Sequence, residues 1–147
     1  MYPQTTNLLY RLQNGGLGDL HPKIFWILIG TNDLSLDFCS VDAITAGNIA
    51  IVQELQKLRP EAIIVINSLL PRTPTFWKFL KPINDRLACY ASRTSNVEFF
   101  NATDLFMSPD QDLHFMPDNL HPDGKEGSAS WASDIATKVV ELEVKNP

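Results

Sequence analysis

The chain carries its clearest fold signal in Ile24-Phe25-Trp26-Ile27-Leu28-Ile29-Gly30-Thr31-Asn32-Asp33. A run of bulky apolar side chains stops abruptly at a glycine followed by polar residues. This pattern predicts a fully buried strand over residues 23–29, because the strands of a parallel sheet are covered on both faces. Gly30 and Asn32 would then emerge at the carboxyl end of that strand, where open α/β sheets place their sites.

Helix and strand signals alternate along the rest of the chain. Helical spacing and caps predict four helices, over residues 5–13, 42–58, 76–92 and 124–144. Apolar runs predict two further strands, over residues 61–67 and 97–100. The segments at residues 30–40 and 102–122 carry neither signal and are predicted to be loops. The alternation favours a parallel sheet with helices on both faces, although only three strands are visible.

The composition narrows the classes of function. A chain of 147 residues suits a single domain, and its net charge of −5 without a basic cluster disfavours nucleic-acid binding. No apolar run is long enough to span a membrane, and the N-terminus lacks the pattern of a signal peptide. Cys39 and Cys89 have no metal-ligand spacing, so we expect small packing residues in a reduced, cytoplasmic protein.

A second polar segment, Asp118-Asn119-Leu120-His121-Pro122-Asp123-Gly124, has the spacing of an acid/base pair. The Asp118 carboxylate could bond one ring nitrogen of His121 and leave the other free as a general base. The Asn32 carboxamide and the Gly30 backbone N–H could both donate to a developing oxyanion. Together these features indicate acyl transfer. A strand-end turn at Gly30–Asp33 and a simple loop salt bridge are the structural alternatives.

Acidic residues and histidines also cluster between positions 110 and 123. The members of this cluster are Asp110, Asp112, His114, Asp118, His121 and Asp123. Carboxylate and imidazole groups bind zinc and manganese in proteins. The spacing of this cluster nevertheless matches no compact metal motif, so we expect no metal and no other cofactor.

Five segments, in the same order, resemble the SGNH hydrolases, also called GDSL esterases. The segments are Asn7-Leu8-Leu9-Tyr10-Arg11-Leu12-Gln13-Asn14-Gly15, His21-Pro22-Lys23, Leu28-Ile29-Gly30-Thr31-Asn32-Asp33, Leu69-Leu70-Pro71-Arg72 and Asp118-Asn119-Leu120-His121-Pro122. The resemblance covers nearly the whole chain. It is nearest to the branch typified by the catalytic subunits of intracellular platelet-activating-factor acetylhydrolase.

The resemblance implies a fold, a reaction and a role for each matching residue. The fold would be a flavodoxin-like three-layer α/β/α sandwich with a five-stranded parallel sheet. The reaction would be hydrolysis of small acyl esters through a serine acyl-enzyme, without a cofactor. His121 would be the general base and Asp118 its orienting acid, while Asn32 and Gly30 would stabilise the oxyanion. Arg72 either borders the substrate crevice or is a solvated loop arginine.

The chain departs from the family pattern in its first part. The family nucleophile is the serine of a Gly-Asp-Ser motif, and this sequence contains no Gly-Asp-Ser. A further oxyanion donor, the glycine of the second family block, would fall at or just before Tyr2. Ser68 and Cys39 are weak candidates for a replacement nucleophile, since it must lie within reach of His121. The resemblance therefore implies an N-terminally truncated domain that lacks its first strands.

Two functional hypotheses remain at this point. In one, the chain is a fragment of an active serine esterase. In the other, it is a non-catalytic binding or scaffolding subunit that retains the esterase crevice. Either form would leave one edge of the strand over residues 23–29 exposed, which predicts a homodimer through that edge or marginal stability.

Overall fold

The computed structural model describes residues 3–36 and 39–145. The helices in those residues are α1 (Thr5–Gln13), α2 (Thr31–Leu36), α3 (Val41–Leu58), α4 (Trp77–Ala91), α5 (Thr103–Phe106) and α6 (Glu126–Lys145). The strands are β1 (Ile24–Ile27), β2 (Ile63–Asn67) and β3 (Val97–Phe100). A short 3-10 turn, Pro74–Phe76, leads into α4.

The three strands form a parallel sheet in the order β1-β2-β3. Ile24 of β1 is aligned with Ile63 of β2, and Ile64 of β2 is aligned with Val97 of β3. All five residues of β2 are buried. A β-branched run such as Ile-Ile-Val-Ile suits this central position, because branched side chains pack well on a pleated surface.

The two faces of the sheet pack against separate helical layers. Ile64 and Ile66 belong to a core that also contains side chains of α1, α3 and α4. Ile63 and Val65 point to the other face, where they form a smaller cluster with Leu142 of α6. Because alternate residues of a strand face opposite sides, one buried strand supplies both cores. The predicted three-layer α/β/α sandwich is confirmed.

The strand β1 is less buried than the sequence predicted. It spans only Ile24–Ile27, and Ile27 is its single buried residue. Within the described residues β1 pairs only with β2, so it is an edge strand of that sheet. An apolar run indicates which side chains could be buried, whereas their actual burial depends on the elements that pack against them in space. The prediction of a fully buried strand over residues 23–29 was wrong for this reason.

Two of the predicted loops contain short helices. The helix α2 begins at Thr31, directly after Gly30, and α5 occupies Thr103–Phe106. Each is too short to show a clear apolar period in the sequence. Pro82 lies inside α4 without ending it.

The two longest helices, α3 and α6, cover opposite faces of the sheet. Ile44, Ile51 and Leu55 of α3 are buried, as expected for an amphipathic helix against a core. In α6 the side chains of Val140 and Val144 remain exposed. Among the helices of residues 3–36 and 39–145, none is long and apolar enough to cross a membrane.

Candidate functional site

The predicted site residues lie in the connections that follow the carboxyl ends of the strands. Gly30 lies between β1 and α2, Asn32 is the second residue of α2, and Arg72 lies in the loop after β2. Asp118 and His121 lie in the connection between β3 and α6. Because the strands are parallel, their carboxyl ends meet at one edge of the sheet, which is the edge where such folds bind ligands.

Gly30 occupies a position that only glycine tolerates. Its φ angle is +119°, a conformation that side chains of L-residues rarely adopt. A Cβ atom at this position would lie 2.9 Å from Cγ2 of Ile44 and 3.3 Å from Nδ2 of Asn48. Asn48 is itself fixed, since it donates to the carbonyl oxygens of Ile29 and Ile44. Backbone angle and available space thus both require the glycine.

The first described residues hold the turn that contains Asn32. Nδ2 of Asn32 donates to the carbonyl oxygen of Pro3 at 2.9 Å. The next residue, Asp33, is buried and accepts bonds from both the backbone N–H and the hydroxyl of Thr5. The Asn32 carboxamide nitrogen carries two hydrogens, so the bond to Pro3 leaves it a second donor for a ligand. The glycine expected at or just before Tyr2 lies outside the described residues.

Arg72 is a buried cation. Its residue is only 9% exposed, and its Nη1 donates to the carbonyl oxygen and the hydroxyl of Thr31 at 2.9 and 3.0 Å. Its guanidinium lies over the ring of Phe76. The backbone carbonyl oxygen of Arg72 accepts a hydrogen bond from Nε1 of Trp77. Desolvation by this burial lowers the pKa of Arg72. Arg72 is therefore not a solvated loop arginine.

Asp118 and His121 form a compact pair. Nδ1 of His121 and Oδ2 of Asp118 are 2.7 Å apart, and Oδ1 accepts the backbone N–H groups of Leu120 and His121. The positive φ of Asn119, +57°, folds the chain back onto the carboxylate. The side-chain bond from His121, followed by its backbone bond, lowers the pKa of Asp118 to about 2. Nδ1 faces the carboxylate, so Nε2 is the ring nitrogen that can accept a proton.

The pair is open to solvent. The side chain of His121 is 73% exposed and that of Asp118 is 54% exposed. An exposed ion pair adds little to stability. The pair therefore owes its geometry to the local turn rather than to burial.

Ser68 is unsuited to act as a nucleophile. Its side chain is fully buried at the carboxyl end of β2. Its Oγ accepts bonds from the backbone N–H of Ala102 and the hydroxyl of Thr103, at 3.0 and 3.1 Å. These bonds tie β2 to the segment after β3. Cys39, the other weak candidate, is half-buried.

Asn67 is a site-supporting residue that sequence reasoning missed. Its Oδ1 accepts indole N–H bonds from Trp26 at 3.0 Å and from Trp131 at 3.3 Å. Trp131 lies near the start of α6, so the bond attaches this helix to the carboxyl end of β2. A polar residue that ends a continuous apolar run was the available signal, because a buried carboxamide needs hydrogen-bond partners.

Asp123 serves as a helix cap. Its Oδ1 accepts the backbone N–H groups of Lys125 and Gly127, at 3.1 and 2.8 Å, just where α6 begins. Close packing accompanies the cap, since a Cβ atom on Gly127 would lie 2.6 Å from Cβ of Phe115. Within residues 3–36 and 39–145, no group of three or more His, Cys, Asp or Glu side chains is arranged to hold a metal ion.

Comparison with known proteins gives consistent matches. The model of the GDSL-like Lipase/Acylhydrolase family matches residues 3–125. The chain is 33% identical over 123 residues to platelet-activating factor acetylhydrolase IB subunit alpha1 of Rattus norvegicus, covering 80% of this chain and 51% of that protein. It is 31% identical over 149 aligned residues to subunit alpha2 of Homo sapiens, covering 97% of this chain and 63% of that protein. The chain thus spans between half and two-thirds of these relatives.

Solved structures share the fold. A protein from Streptococcus pneumonia described as a platelet activating factor has a TM-score of 0.76 at 24% identity, covering 90% of this chain and 68% of the other. A carbohydrate esterase family 3 structure from Talaromyces cellulolyticus has a TM-score of 0.67 at 18% identity, covering 95% of this chain and 68% of the other. At these identities the likeness concerns the fold alone.

Substitution of Gly30 by alanine is expected to destabilise the protein by about 1–3 kcal/mol, because the residue has a positive φ and no room for a Cβ atom. Urea unfolding measures the change. Gly124→Ala is the matched control, since a Cβ atom there meets nothing within 4 Å. We expect the control to stay within about 1 kcal/mol of the unsubstituted chain. Equal effects of the two substitutions would contradict the assignment.

The low pKa of Asp118 predicts a pH window for the pair. Its folded pKa of about 2 lies below the ordinary 3.8, so its contribution is present above the ordinary value and is lost as pH falls through about 2. His121→Ala should raise the pKa of Asp118 towards the ordinary value, because the side-chain bond is the main cause of the shift. Carboxyl NMR titration measures it. His114→Ala is the control, and an unmoved pKa in His121→Ala would refute the cause.

Proposed function

The chain belongs to the GDSL-like lipase/acylhydrolase family, and we propose that its site binds small acyl esters and takes part in their hydrolysis. The observation that carries this proposal is the Asp118–His121 pair, with its Nδ1 to Oδ2 distance of 2.7 Å. The pair lies in a loop at the edge of the sheet where the Gly30–Asn32 turn also emerges. A base and a set of oxyanion donors are the two parts of acyl-transfer machinery that the fold itself must place.

Each residue has a defined part in the proposed reaction. Asp118 accepts the Nδ1–H of His121, which favours the tautomer whose Nε2 can accept the proton of an attacking hydroxyl. As the new C–O bond forms, the carbonyl electrons move onto the oxygen, where Asn32 and the N–H of Gly30 donate to it. The carbonyl then re-forms, the ester C–O bond breaks, and His121 returns the proton to the departing alcohol.

The attacking hydroxyl is the open element of the proposal. In the family reaction it belongs to the serine of Gly-Asp-Ser, which forms an acyl-enzyme that water then hydrolyses. This sequence contains no such motif, and Ser68 is buried and hydrogen-bonded. Hydrolysis by these residues alone needs another hydroxyl within hydrogen-bond reach of Nε2. Water is the candidate, since His121 is exposed to solvent.

Hydrolysis of p-nitrophenyl acetate tests the proposal. His121→Ala should lower the rate roughly 10²–10⁴-fold, the usual contribution of a general base. The control is His21→Ala, which changes an exposed histidine far along the chain from this loop. Fluorophosphonate labelling with mass spectrometry would identify any nucleophilic serine. Hydrolysis that is equally fast in His121→Ala would overturn the assigned base.

A non-catalytic binding or scaffolding subunit is the alternative function. The burial and hydrogen bonding of Ser68 favour it, because they exclude one serine of this sequence as a replacement nucleophile. Under this alternative the folded chain shows no turnover and no fluorophosphonate adduct, yet a carboxylate such as acetate still perturbs the amide signals of Asn32. Turnover that depends on His121 would exclude it.

We also propose a homodimer through the exposed edge of β1. Ile24, Phe25 and Trp26 are apolar but only half-buried, and their strand pairs on one side alone within the described residues. Edge strands of this kind pair readily with another chain. Sedimentation over a wide concentration range should show a dimer that dissociates on dilution, and a monomer at every concentration would contradict the proposal. The exposed free thiol of Cys89 suits a reducing, cytoplasmic setting.

A further inference from the structure

Arg72 has a feature that the proposed function does not use. It is a cation more than nine-tenths buried, and its Nε is buried without a hydrogen-bond partner among the described residues. No ion pair in residues 3–36 and 39–145 includes it. Burying a charge without an acid is costly, and an apolar residue of similar size would usually serve stability at least as well. The burial of this charge therefore has to be explained by what the guanidinium contacts.

The hydrogen bonds of the Arg72 guanidinium converge on Thr31, in the turn at Gly30–Asp33. Nη1 donates to both the carbonyl oxygen and the hydroxyl of Thr31, at 2.9 and 3.0 Å. The carbonyl of Thr31 and the N–H of Asn32 belong to one planar peptide unit, so fixing one fixes the direction of the other. A donor on the carbonyl oxygen also polarises that peptide and strengthens its N–H as a donor.

The guanidinium is itself held in place. It lies 4.9 Å from the centroid of the Phe76 ring, a cation–π contact. The loop that carries it is fixed by Asn84, whose side chain bonds both the N–H and the carbonyl oxygen of Leu69, at 2.8 and 3.1 Å. Arg72 thus links the β2–α4 loop, which Asn84 holds in place, to the turn after β1.

Among residues 3–36 and 39–145, no acidic side chain forms an ion pair with Arg72. Asp33, the acid next to Asn32, is bonded to Thr5 and forms no ion pair with Arg72. A positive charge behind a turn that donates hydrogen bonds favours a negative oxygen in front of it. We propose that Arg72 is a positioning residue: through Thr31 it orients the Asn32 donors and favours anionic oxygen at this turn. This inference rests on the proposed role of Gly30 and Asn32.

The test compares Arg72→Met, Arg72→Lys and Thr31→Val with Arg93→Met, which removes an exposed arginine as a matched control. Amide NMR of the free proteins follows the backbone and side-chain signals of Asn32, and an acetate titration follows its affinity. We expect Arg72→Met and Thr31→Val to move the Asn32 signals. Acetate affinity should fall by about tenfold in Arg72→Met and less in Arg72→Lys and Thr31→Val, which keep the charge.

Each outcome decides one of the two claims. Asn32 signals and acetate affinity that match those of Arg93→Met would overturn the positioning role. If Arg72→Met fails to fold, as judged by circular dichroism, Thr31→Val decides the question, because it leaves the guanidinium in place. An unsubstituted chain in which acetate leaves Asn32 unperturbed contradicts the proposed ester site. The Asn32 signals of the free variants still decide the role of Arg72 in that case.

Discussion

Burial of β2 between two helical layers is the constraint on which the other parts of the structure depend. All five of its residues are buried, and alternate side chains contribute to the cores on opposite faces. Because β2 pairs with both β1 and β3, its register also places the ends of those strands. The polar residues at its carboxyl end then connect outwards: Asn67 reaches two tryptophans, and Ser68 reaches the segment after β3. β1, α6 and the segment after β3 are thereby all bonded to the carboxyl end of this one strand.

The two halves of the candidate site are held in different ways. The turn at Gly30–Asp33 depends on partners far away in the chain, namely Pro3, Thr5 and Arg72. The Asp118–His121 pair depends on its own backbone, because the carboxylate accepts the two N–H groups that follow it. The turn at Gly30–Asp33 is therefore a product of tertiary packing, whereas the Asp118–His121 pair is a local motif that the loop presents to solvent.

Family membership supports one part of the proposed chemistry, and the attacking hydroxyl is the part that this sequence leaves open. Membership favours the proposal of ester chemistry at the carboxyl edge of the sheet, since the proposed base, orienting acid and donors each have a residue in this chain. The sequence contains no serine in the family context, and Ser68 is buried within a hydrogen-bond network. Arg72 is buried and has no ion-pair partner in the part of the chain that the structure describes, and this is the observation behind the proposed preference of the turn for negative oxygen.

The sequence by itself determined the alternation of strands and helices, the bounds of β3, the family, and the Asp118–His121 pair. These features depend on neighbours within a few residues, which a linear pattern records. Only the tertiary structure decided that Arg72 is buried against Thr31 and that Asn67 bonds two tryptophans. Those outcomes depend on contacts between residues some 40 positions or more apart, and the periodicity of a sequence does not indicate such contacts. Burial is a property of neighbours in space, so residue type alone does not specify it.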